Sequence, residues 1–478
     1  MNFPAVVHVI QGGPVNPRIG SRRASVRDSE RPAGPAGRLA AGRHRDGGRD
    51  GRAAGRHRTG RRGWLAITAI AVAGGMLIAA CGSSTTGSAG TPHVKASSAT
   101  PASQLSITPA DGSKDVNPGG GVTVTAKTGT IKNVVVTSGS APVAGTLNAA
   151  GTEWHSTWAL SPSASYTVTA TGKDAAGATA TTTSSFRTLA PAQTQQTMIF
   201  EGENQTYGVG MPIILKFSTP VTNKSAVESA LQVTTSKPVV GAWYWDGDQT
   251  LYFRPQTYWP AGTQVSFVGH LDGVESAPGV YSMANLTQTF DIGPSLIVIA
   301  STKTHYMQVY YEGKLFGNWP ISSGRPGLDS VNGTYLTIEK GNPVRMVGNG
   351  YNELVNYAVR YTYSGDYIHD APWSVSEQGF TNVSHGCLNT SPAHSQLYYS
   401  MAVPGDPVTV TGSPAAGKWD DGWTVWFLTW EQLLQGSALH EAVQAGPSGS
   451  TFVNPSTLPA AAAASALQSS QPDNAVAQ

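Results

Sequence analysis

Charged residues are scarce in this sequence. Asp, Glu, Lys and Arg make up 13% of its 478 residues, whereas 40% are hydrophobic and 12 are tryptophan. This apolar content is enough to fill packed cores, so a wholly disordered chain is excluded. With 55 glycines and 31 prolines, turn residues are plentiful and long helices are expected to be few. The length corresponds to about three domains.

A net positive charge is found only at one end of the chain. Residues 1–62 hold 14 Arg, no Lys and four acidic residues, whereas the remainder has 17 basic and 25 acidic residues, a net charge of −8. The acidic balance of that remainder gives no reason to expect a nucleic-acid partner. We interpret residues 1–62 as an Arg-rich leader, either disordered or the product of a wrongly assigned start, and predict no fold there.

An uncharged apolar run follows the leader over residues 63–81. It begins after Arg61-Arg62 and ends in Ile78-Ala79-Ala80-Cys81. A basic flank, an apolar stretch and small residues are typical of a secretory signal, although a membrane-spanning helix has a similar length. The final four residues resemble the bacterial lipobox, which implies that Cys81 becomes the lipidated first residue. Residues 82–103 would then be a flexible polar tether.

Two stretches in the middle of the chain have the pattern of β-sandwich modules. Residues 104–190 consist of short alternating runs, such as Tyr166, Val168 and Ala170, separated by turn residues. About seven strands at this spacing predict an immunoglobulin-like sandwich. Residues 197–292 repeat the pattern, and the runs around Asp246-Gly247-Asp248 predict a hairpin. We interpret both modules as spacer or docking domains joined by a short linker.

A third β-rich unit covers residues 294–413, which makes the predicted fold class all-β. A hairpin is predicted around Glu312-Gly313-Lys314, and Ser391-Pro392 predicts the start of a short helix. Four tryptophans in residues 414–440 fall at helical spacing, but Gly422 argues against one continuous helix, and Thr429 is expected to cap a short one. We expect this Trp-rich segment to pack against the third unit, and residues 441–478 to be a disordered tail.

The third unit also carries the candidate catalytic residues. If Cys81 carries lipid, Cys387 is an unpaired thiol in an exported protein and a candidate reactive residue. It lies in Ser384-His385-Gly386-Cys387-Leu388-Asn389, and His369 precedes that run. An imidazole lowers the pKa of a neighbouring thiol and returns a proton to the leaving amine. Because Gly386 allows close backbone approach to an oxyanion, the pattern predicts a Cys/His acyl-transfer site.

Two segments together resemble the signature of the L,D-transpeptidase (YkuD-type) catalytic domain. They are Tyr367-Ile368-His369-Asp370-Ala371-Pro372-Trp373-Ser374 and Ser384-His385-Gly386-Cys387-Leu388-Asn389. The signature is a His, a short gap, then Ser/Thr-His-Gly-Cys-x-Asn. The order of lipobox, two immunoglobulin-like modules, this domain and a Trp-containing segment is also similar to actinobacterial members, the mycobacterial ones included. The resemblance is strong over residues 294–436 and looser over residues 104–292.

The resemblance implies a role for each matching residue. Cys387 would be the nucleophile and His369 its proton-exchange partner, while His385 would shape the loop and the electrostatics of the thiolate. Backbone N–H groups around Gly386 and Cys387, in the loop that begins at Ser384, would form the oxyanion hole. The expected substrate-binding positions are Tyr351, Ser364, Gly365, Asp370, Trp373 and Asn389.

The reaction that this resemblance implies has two halves. The thiolate attacks the carbonyl of the third residue in a peptidoglycan tetrapeptide stem and expels the terminal D-Ala. The side-chain amine of a diamino acid on a second stem then takes the acyl group and forms a 3→3 cross-link. Carbapenem-type β-lactams would acylate the same thiol. We expect no cofactor or metal, and we expect an exported protein, lipid-anchored to the outer face of the plasma membrane, that acts in the cell wall.

Two positions depart from the family pattern. Asp370 follows the first His, where relatives usually have Ser or Gly, but its backbone carbonyl can still orient the imidazole. The Pro-Thr-Pro-x-Gly stretch that is common upstream is replaced by Asp329-Ser330-Val331-Asn332-Gly333. Only the turn glycine survives there, so the sequence does not predict the shape of that loop.

Other functions remain open at this point. An L,D-carboxypeptidase, or a transferase that attaches a protein to the stem, would use the same acyl-enzyme and differ only in the nucleophile that resolves it. A zinc site made of His369, His385 and Cys387 lacks a convincing zinc-ligand spacing. A wall-binding scaffold with an inactive catalytic domain is disfavoured because the cysteine, both histidines and Asn389 are intact.

Overall fold

The computed structural model describes residues 104–348 and 351–458. The Arg-rich leader, the apolar run with Cys81 and the whole of the predicted tether lie outside these residues, as do residues 459–478. None of the helices in the described ranges has the length and apolar character needed to cross a membrane. Strands dominate and helices are short, so the predicted all-β fold class is confirmed.

The first module is a sandwich of two four-stranded antiparallel sheets, ordered β1-β2-β6-β5 and β4-β3-β7-β8. Its strands are β1 Leu105–Thr108, β2 Thr123–Ala126, β3 Thr130–Ser138, β4 Ala141–Pro142, β5 Gly145–Leu147, β6 Glu153–Ser156, β7 Ser165–Lys173 and β8 Thr179–Arg187. Along β7 the residues Tyr166, Val168 and Ala170 are buried between more exposed neighbours. Because side chains along a strand alternate between the two faces of the sheet, this alternation of burial gives each sheet one face that packs in the core.

The second module has a larger core and is built from three sheets, one of which also takes strands from the end of the chain. Its own elements are β9 Gln193–Gln195, β10 Thr197–Ile199, β11 Thr206–Tyr207, β12 Ile213–Phe217, α1 Lys224–Ser229, β13 Leu231–Thr235, β14 Val239–Asp246, β15 Thr250–Pro255, β16 Gln264–Gly269, β17 Glu275–Ala277, β18 Val280–Ser282 and β19 Leu286–Ile292. The predicted hairpin is present as the antiparallel pair β14 and β15. Strand β9 lies in the expected linker and pairs in parallel with β18, so the modules are joined by a paired segment rather than a loose one.

The third unit contains a five-stranded sheet, ordered β22-β21-β20-β30-β23, and a four-stranded sheet, ordered β24-β27-β28-β29. Its elements are β20 Leu296–Ser301, β21 Tyr306–Tyr311, β22 Lys314–Pro320, β23 Gly333–Leu336, β24 Glu339–Gly341, β25 Val344–Gly348, β26 Tyr351–Val355, β27 Ala358–Arg360, β28 Tyr367–Asp370, β29 Leu388–Thr390, α2 Pro392–Met401 and β30 Pro407–Thr411. The predicted hairpin is formed by β21 and β22. Helix α2 begins as predicted, because Oγ of Ser391 accepts from the His394 N–H and Pro392 occupies the first turn.

The predicted packing of the Trp-rich segment is wrong in one respect. The short helix is present as α3, Trp430–Gln435, with Thr429 in a capping box. However, Trp423 and Trp426 are buried in the core of the second module rather than that of the third unit. Buried Arg254 of β15 explains this, since it donates to the carbonyl of Leu428 at 2.8 Å and lies 4.3 Å from the Trp426 ring centroid. Phe427 packs in the third unit's core, so the segment joins both.

The predicted disordered tail from residue 441 is also corrected. Strands β31 Ala442–Gly446 and β32 Gly449–Val453 form a hairpin, and β31 pairs with β14 of the second module. The buried carboxylate of Glu228 holds the preceding segment in place by accepting from the Ala438 N–H at 2.7 Å and the Ser437 hydroxyl at 2.8 Å. Low-complexity composition suggested disorder, but the edge of β14 offers a template on which this segment becomes ordered.

Candidate active site

Two short parallel strands bring the two signature segments together. In the register of β28 and β29, Ile368 pairs with Leu388 and His369 pairs with Asn389. Ile368 and Leu388 are fully buried in the core of the third unit, which holds this register. Cys387 immediately precedes β29, so the thiol and the imidazole arrive at the same edge of the four-stranded sheet.

His369 is buried and has a defined orientation. Its Nδ1 lies 2.6 Å from the backbone carbonyl of Asp370, which makes Nδ1 the N–H donor and leaves Nε2 as the acceptor. Burial lowers the pKa of His369, and the bond to Asp370 opposes this less strongly. The imidazole is therefore neutral near pH 7, the state that can accept a proton from a thiol.

The pKa of the Cys387 thiol is raised, whereas the sequence analysis expected a neighbouring imidazole to lower it. The thiol is partly exposed and its Sγ lies 3.8 Å from the carbonyl oxygen of Gly365. Burial, and next the Asp366 carboxyl, raise the pKa of Cys387 to about 12, while the N–H groups of Tyr367 and Cys387 itself act in the opposite direction. The resting site is thus a neutral thiol with a neutral imidazole, and the proton must move as the sulfur attacks.

The catalytic loop is stabilised by its own serine. Ser384 Oγ donates to the Cys387 carbonyl at 2.6 Å and accepts from the Gly386 N–H at 3.2 Å. Because the Gly386 N–H is used inside the loop, it is not a free oxyanion donor here. The N–H groups that act on the sulfur belong to Tyr367 and Cys387. The Gly386 N–H is engaged within the loop, and the expectation that N–H groups around Gly386 and Cys387 form the oxyanion hole stays a prediction.

Arg325 is a residue that the sequence analysis did not select. Its Nη1 lies 2.9 Å from Nε2 of His385, whose ring lies 4.4 Å from that of Tyr351. Burial and the Arg325 charge lower the pKa of His385, so this histidine is neutral and its Nε2 is already in use. Sixty residues separate Arg325 from His385, and no local pattern indicates such a contact.

The thiol lines an open cleft. Among the expected substrate-binding residues, Tyr351, Trp373 and Asn389 line it together with His369 and Cys387. Trp373 is half-exposed with its ring 6.2 Å from that of His369. The structure therefore brings these three expected positions to the reacting groups.

Ser364 and Gly365, which were also expected to bind substrate, do not line the cleft but contact residues that do or that lie next to it. Both the N–H and the hydroxyl of Ser364 donate to Asp421 of the Trp-rich segment, at 2.6 and 2.7 Å. Gly365 presents its carbonyl to the sulfur. Ser330, from the loop whose shape was not predicted, is buried, and its hydroxyl donates to the Gly386 carbonyl.

The Asp370 carboxylate has a structural partner. It is buried and accepts from the backbone N–H of Asn356 at 2.6 Å and from its side-chain amide at 3.2 Å. Asn356 directly follows the hairpin of β25 and β26, whose Tyr351 lines the cleft. Asp370 therefore anchors the base of this hairpin, which replaces the expectation that it contacts substrate.

The zinc alternative finds no support in the geometry. Across residues 104–348 and 351–458, no three His, Cys, Asp or Glu side chains converge in a group that could hold a metal ion. His369 and His385 each have a ring nitrogen engaged in a hydrogen bond to another protein group. The site is thus a thiol–imidazole pair in a cleft, the arrangement of an acyl-transfer centre.

Comparison with protein families identifies two regions of the chain. Residues 113–275 match the bacterial Ig domain model, and residues 295–410 match the L,D-transpeptidase catalytic domain model. The first match covers most of the first module and continues into the second module as far as residue 275, and the second match contains both signature segments. These matches define the class as an L,D-transpeptidase catalytic domain preceded by Ig-like structure.

Individual relatives agree with this assignment. L,D-transpeptidase 2 of Mycobacterium tuberculosis (strain CDC 1551 / Oshkosh) is 34% identical over 350 residues, covering 70% of this chain and 85% of the relative. L,D-transpeptidase 5 of strain ATCC 25618 / H37Rv is 33% identical, covering 71% and 78%. A solved structure of LD transpeptidase LdtMt1 with imipenem is 32% identical and covers 46% of this chain and 100% of that one, with a TM-score of 0.39. The chain belongs to the L,D-transpeptidase family, and it is a peptidoglycan L,D-transpeptidase.

Replacing Asp370 by Ser tests whether its carboxylate has a chemical role. The carbonyl that orients His369 is retained, so we expect kcat/KM for a tetrapeptide donor to stay within about tenfold of wild type. Thermal unfolding should show a loss of stability of about 1–3 kcal/mol, because the Asn356 contacts are removed. Asp370→Asn, which keeps one acceptor oxygen, is the matched control. A larger loss of activity in a folded Asp370→Ser protein would give the carboxylate a role of its own.

The raised pKa of Cys387 predicts how its reactivity depends on pH. In protein comprising residues 82–478, iodoacetamide alkylation should accelerate by about tenfold per pH unit above neutrality, because only the thiolate reacts. Asp366→Asn should react faster at each pH, since Asp366 raises the pKa of the thiol. Mass spectrometry of the alkylated protein measures both rates. A plateau near neutral pH would instead indicate a resting thiolate–imidazolium pair.

Proposed function

We propose that this transpeptidase works through an acyl-enzyme on Cys387 and forms 3→3 cross-links between peptidoglycan stems. The observation that carries the proposal is the neutral His369, whose Nε2 is left as an acceptor by the Nδ1 bond to Asp370, in the cleft that the thiol lines. A thiol with a raised pKa needs such a base at the moment of attack.

Acylation begins when the tetrapeptide donor lies in the cleft. The Cys387 sulfur attacks the carbonyl of the third stem residue while His369 takes the thiol proton. We assign the developing oxyanion to backbone N–H groups of the catalytic loop, among them that of Cys387, which also acts to lower the pKa of the thiol. His369 then gives its proton to the leaving nitrogen, and D-Ala departs as the C–N bond breaks.

The nucleophile that attacks the acyl-enzyme determines whether the enzyme is a transpeptidase, a carboxypeptidase or a transferase that attaches a protein to the stem. The side-chain amine of a diamino acid on a second stem attacks the thioester, an amide forms and the thiolate recovers a proton from His369. If water attacked instead, the product would be a tripeptide and the enzyme a carboxypeptidase. We favour the amine because the relatives that the chain covers over most of their length are named L,D-transpeptidases.

Carbapenem-type β-lactams are proposed as covalent inhibitors of the same thiol. One related structure holds imipenem, and another, L,D-transpeptidase 3 of Mycobacterium tuberculosis, carries a faropenem-derived adduct. A strained β-lactam carbonyl presents the same electrophile as the donor peptide, and its ring opening leaves an acyl group on sulfur. The cleft with Trp373 and Tyr351 offers apolar walls for such a ligand.

We also propose that the protein is exported and lipid-anchored through Cys81, so that it acts in the cell wall. The support is the sequence of the leader alone: a basic flank, an apolar run, the lipobox-like residues up to Cys81 and a polar tether. A single lipidated terminus on a flexible tether would let the β-rich body reach stems at a distance from the membrane.

Mass spectrometry of products tests the acyl-enzyme. Protein comprising residues 82–478 is incubated with a disaccharide-tetrapeptide, beside a Cys387→Ala control. We expect cross-linked dimer with loss of D-Ala in wild type and none in the control, together with a covalent protein adduct only in wild type. Tripeptide without dimer would move the assignment to a carboxypeptidase. Absence of any reaction from folded wild-type protein would favour the scaffold function.

Fractionation tests the anchor. In an actinobacterial host, full-length protein should be recovered with membranes and should carry a diacylglyceryl mass increment at Cys81. The Cys81→Ala variant should lack the increment. Recovery of unmodified wild-type protein from membranes would instead indicate that the apolar run itself spans the bilayer.

A further inference from the structure

The turn of residues 362–366, just before β28, is held by a side chain from the Trp-rich segment. The Asp421 carboxylate accepts from the Ser364 N–H at 2.6 Å and from the Ser364 hydroxyl at 2.7 Å, one bond to each of its oxygens. Hydrogen bonds to a carboxylate are stronger than those between neutral groups. Because one carboxylate takes a backbone donor and a side-chain donor of the same residue, it fixes both the path of the turn and the rotamer of Ser364.

The next residue of the turn contacts the thiol. Sγ of Cys387 lies 3.8 Å from the carbonyl oxygen of Gly365, which is therefore an acceptor for the thiol proton. Gly365 has a φ of +109°, and apart from its chain neighbours no atom of the described residues lies within 4 Å of the place where its Cβ would be. Packing at Gly365 itself thus does not fix the direction of its carbonyl. That direction depends on the hydrogen bonds on either side, from Thr362 inside the turn and from Asp421 at Ser364.

The residues around Asp421 are attached to the second module. Two positions before it, Nε1 of Trp419 donates to the Asp246 carboxylate at the end of β14 at 3.1 Å, and the Trp419 ring meets that of Tyr244 edge-on at 5.6 Å. Two positions after it, Trp423 is buried in the core of the second module. Asp421 is therefore held between two anchors on the second module while its carboxylate reaches the catalytic unit.

The backbone of the Trp-rich segment also lies close to the turn. A Cβ built on Gly422 would lie 3.1 Å from the carbonyl oxygen of Tyr361, and the φ of Gly422 is +132°. Both the close approach and this φ favour glycine. Tyr361 is joined to the turn, since its N–H donates to the Asp366 carbonyl at 3.0 Å. Two separate contacts thus hold the segment against the turn, the Asp421 carboxylate and the backbone at Gly422.

We propose that Asp421 is a positioning residue for the reaction, which fixes the Ser364–Gly365 turn against the Cys387 thiol and, through its anchors on the second module, makes the chemistry depend on that module. The kinetic consequence rests on the proposed function, since it concerns attack by the Cys387 sulfur. Asp421 acts through the turn rather than by touching substrate, because it does not line the cleft.

Positioning by Asp421 and an effect of its charge predict different results for two substitutions. Asp421→Asn removes the charge but keeps an acceptor oxygen for the Ser364 N–H and gains an N–H that the Ser364 hydroxyl oxygen can accept. Asp421→Ala removes the charge and both bonds. If position is what matters, the Asn variant resembles wild type and the Ala variant does not. If charge is what matters, the two variants change alike.

Variants that cut the connection at different points test the inference. Asp421→Ala removes both bonds to the turn. Trp419→Phe and Asp246→Ala remove the indole bond from its two ends and leave the turn and the cleft lining unaltered in sequence. Asp420→Asn is the matched control, because it removes the same charge from an exposed neighbouring side chain.

Each variant is made in the chain of residues 82–478 and compared by two measurements. Release of D-Ala from a tetrapeptide gives kcat and KM, with rates normalised to the folded fraction measured by circular dichroism. Hydrogen–deuterium exchange, followed by mass spectrometry of the peptide that spans residues 361–367, reports how firmly the turn is held. A role confined to folding would alter the folded fraction but leave the normalised kcat unchanged.

For Asp421→Ala we expect kcat to fall by about tenfold or more with KM within about twofold of wild type, because the turn at the sulfur moves whereas the cleft lining is intact. Exchange of the turn should become faster. Trp419→Phe and Asp246→Ala should each lower kcat by about threefold or more and speed exchange in the same peptide. Asp421→Asn should retain at least about half of the wild-type kcat, and Asp420→Asn should match wild type. Trp419→Phe should add little to Asp421→Ala, since both changes cut one connection.

Three results would overturn the inference. The first is a normalised kcat of Asp421→Ala within about twofold of wild type. The second is a loss in Asp421→Asn equal to that in Asp421→Ala, which would assign the effect to charge. The third is wild-type kinetics and exchange in both Trp419→Phe and Asp246→Ala, which would remove the second module from the connection. Failure of wild type to release D-Ala would overturn the proposed function instead, and the exchange measurement alone would then decide whether Asp421 holds the turn.

Discussion

The parallel pairing of β28 with β29 is the constraint on which the site depends. Both strands are short, and their register is held by the fully buried pair Ile368 and Leu388. A slip of one residue would turn His369 to the opposite face of the sheet and separate the imidazole from the thiol. Asn389 secures the same register from the other side, because its backbone exchanges hydrogen bonds with Ser322 at 2.9 and 3.0 Å. A catalytic geometry is thus obtained from core packing rather than from a direct bond between the reacting groups.

The end of the chain extends this constraint to the second module. Trp423 and Trp426 are buried in that module's core, and β31 adds to its sheet through β14. The same segment supplies Phe427 to the catalytic core and Asp421 to the turn beside the thiol. The second module is therefore part of the structure that positions the active-site turn, which goes beyond the spacer role that its sequence suggested.

Electrostatics in the site favour neutral groups until a substrate arrives. Burial lowers the pKa of His369, and burial with Asp366 raises that of Cys387. Arg325 likewise favours the neutral form of His385. A neutral thiol is protected from adventitious chemistry, and its activation is coupled to the step in which the sulfur attacks.

The sequence by itself determined the features that depend on local pattern or on a contiguous motif. Alternation along β7, the turn residues between β14 and β15, the cap of α2 and the two signature segments all act over a few residues, so they can be seen without a fold. Tertiary structure alone decided the contacts between distant segments. Arg325 reaches His385, Asp421 reaches Ser364 and β31 reaches β14 across separations of roughly 60 to 200 residues. Whether a polar side chain carries a charge or binds a partner depends on such neighbours, because burial and Coulomb interactions act through space rather than along the chain.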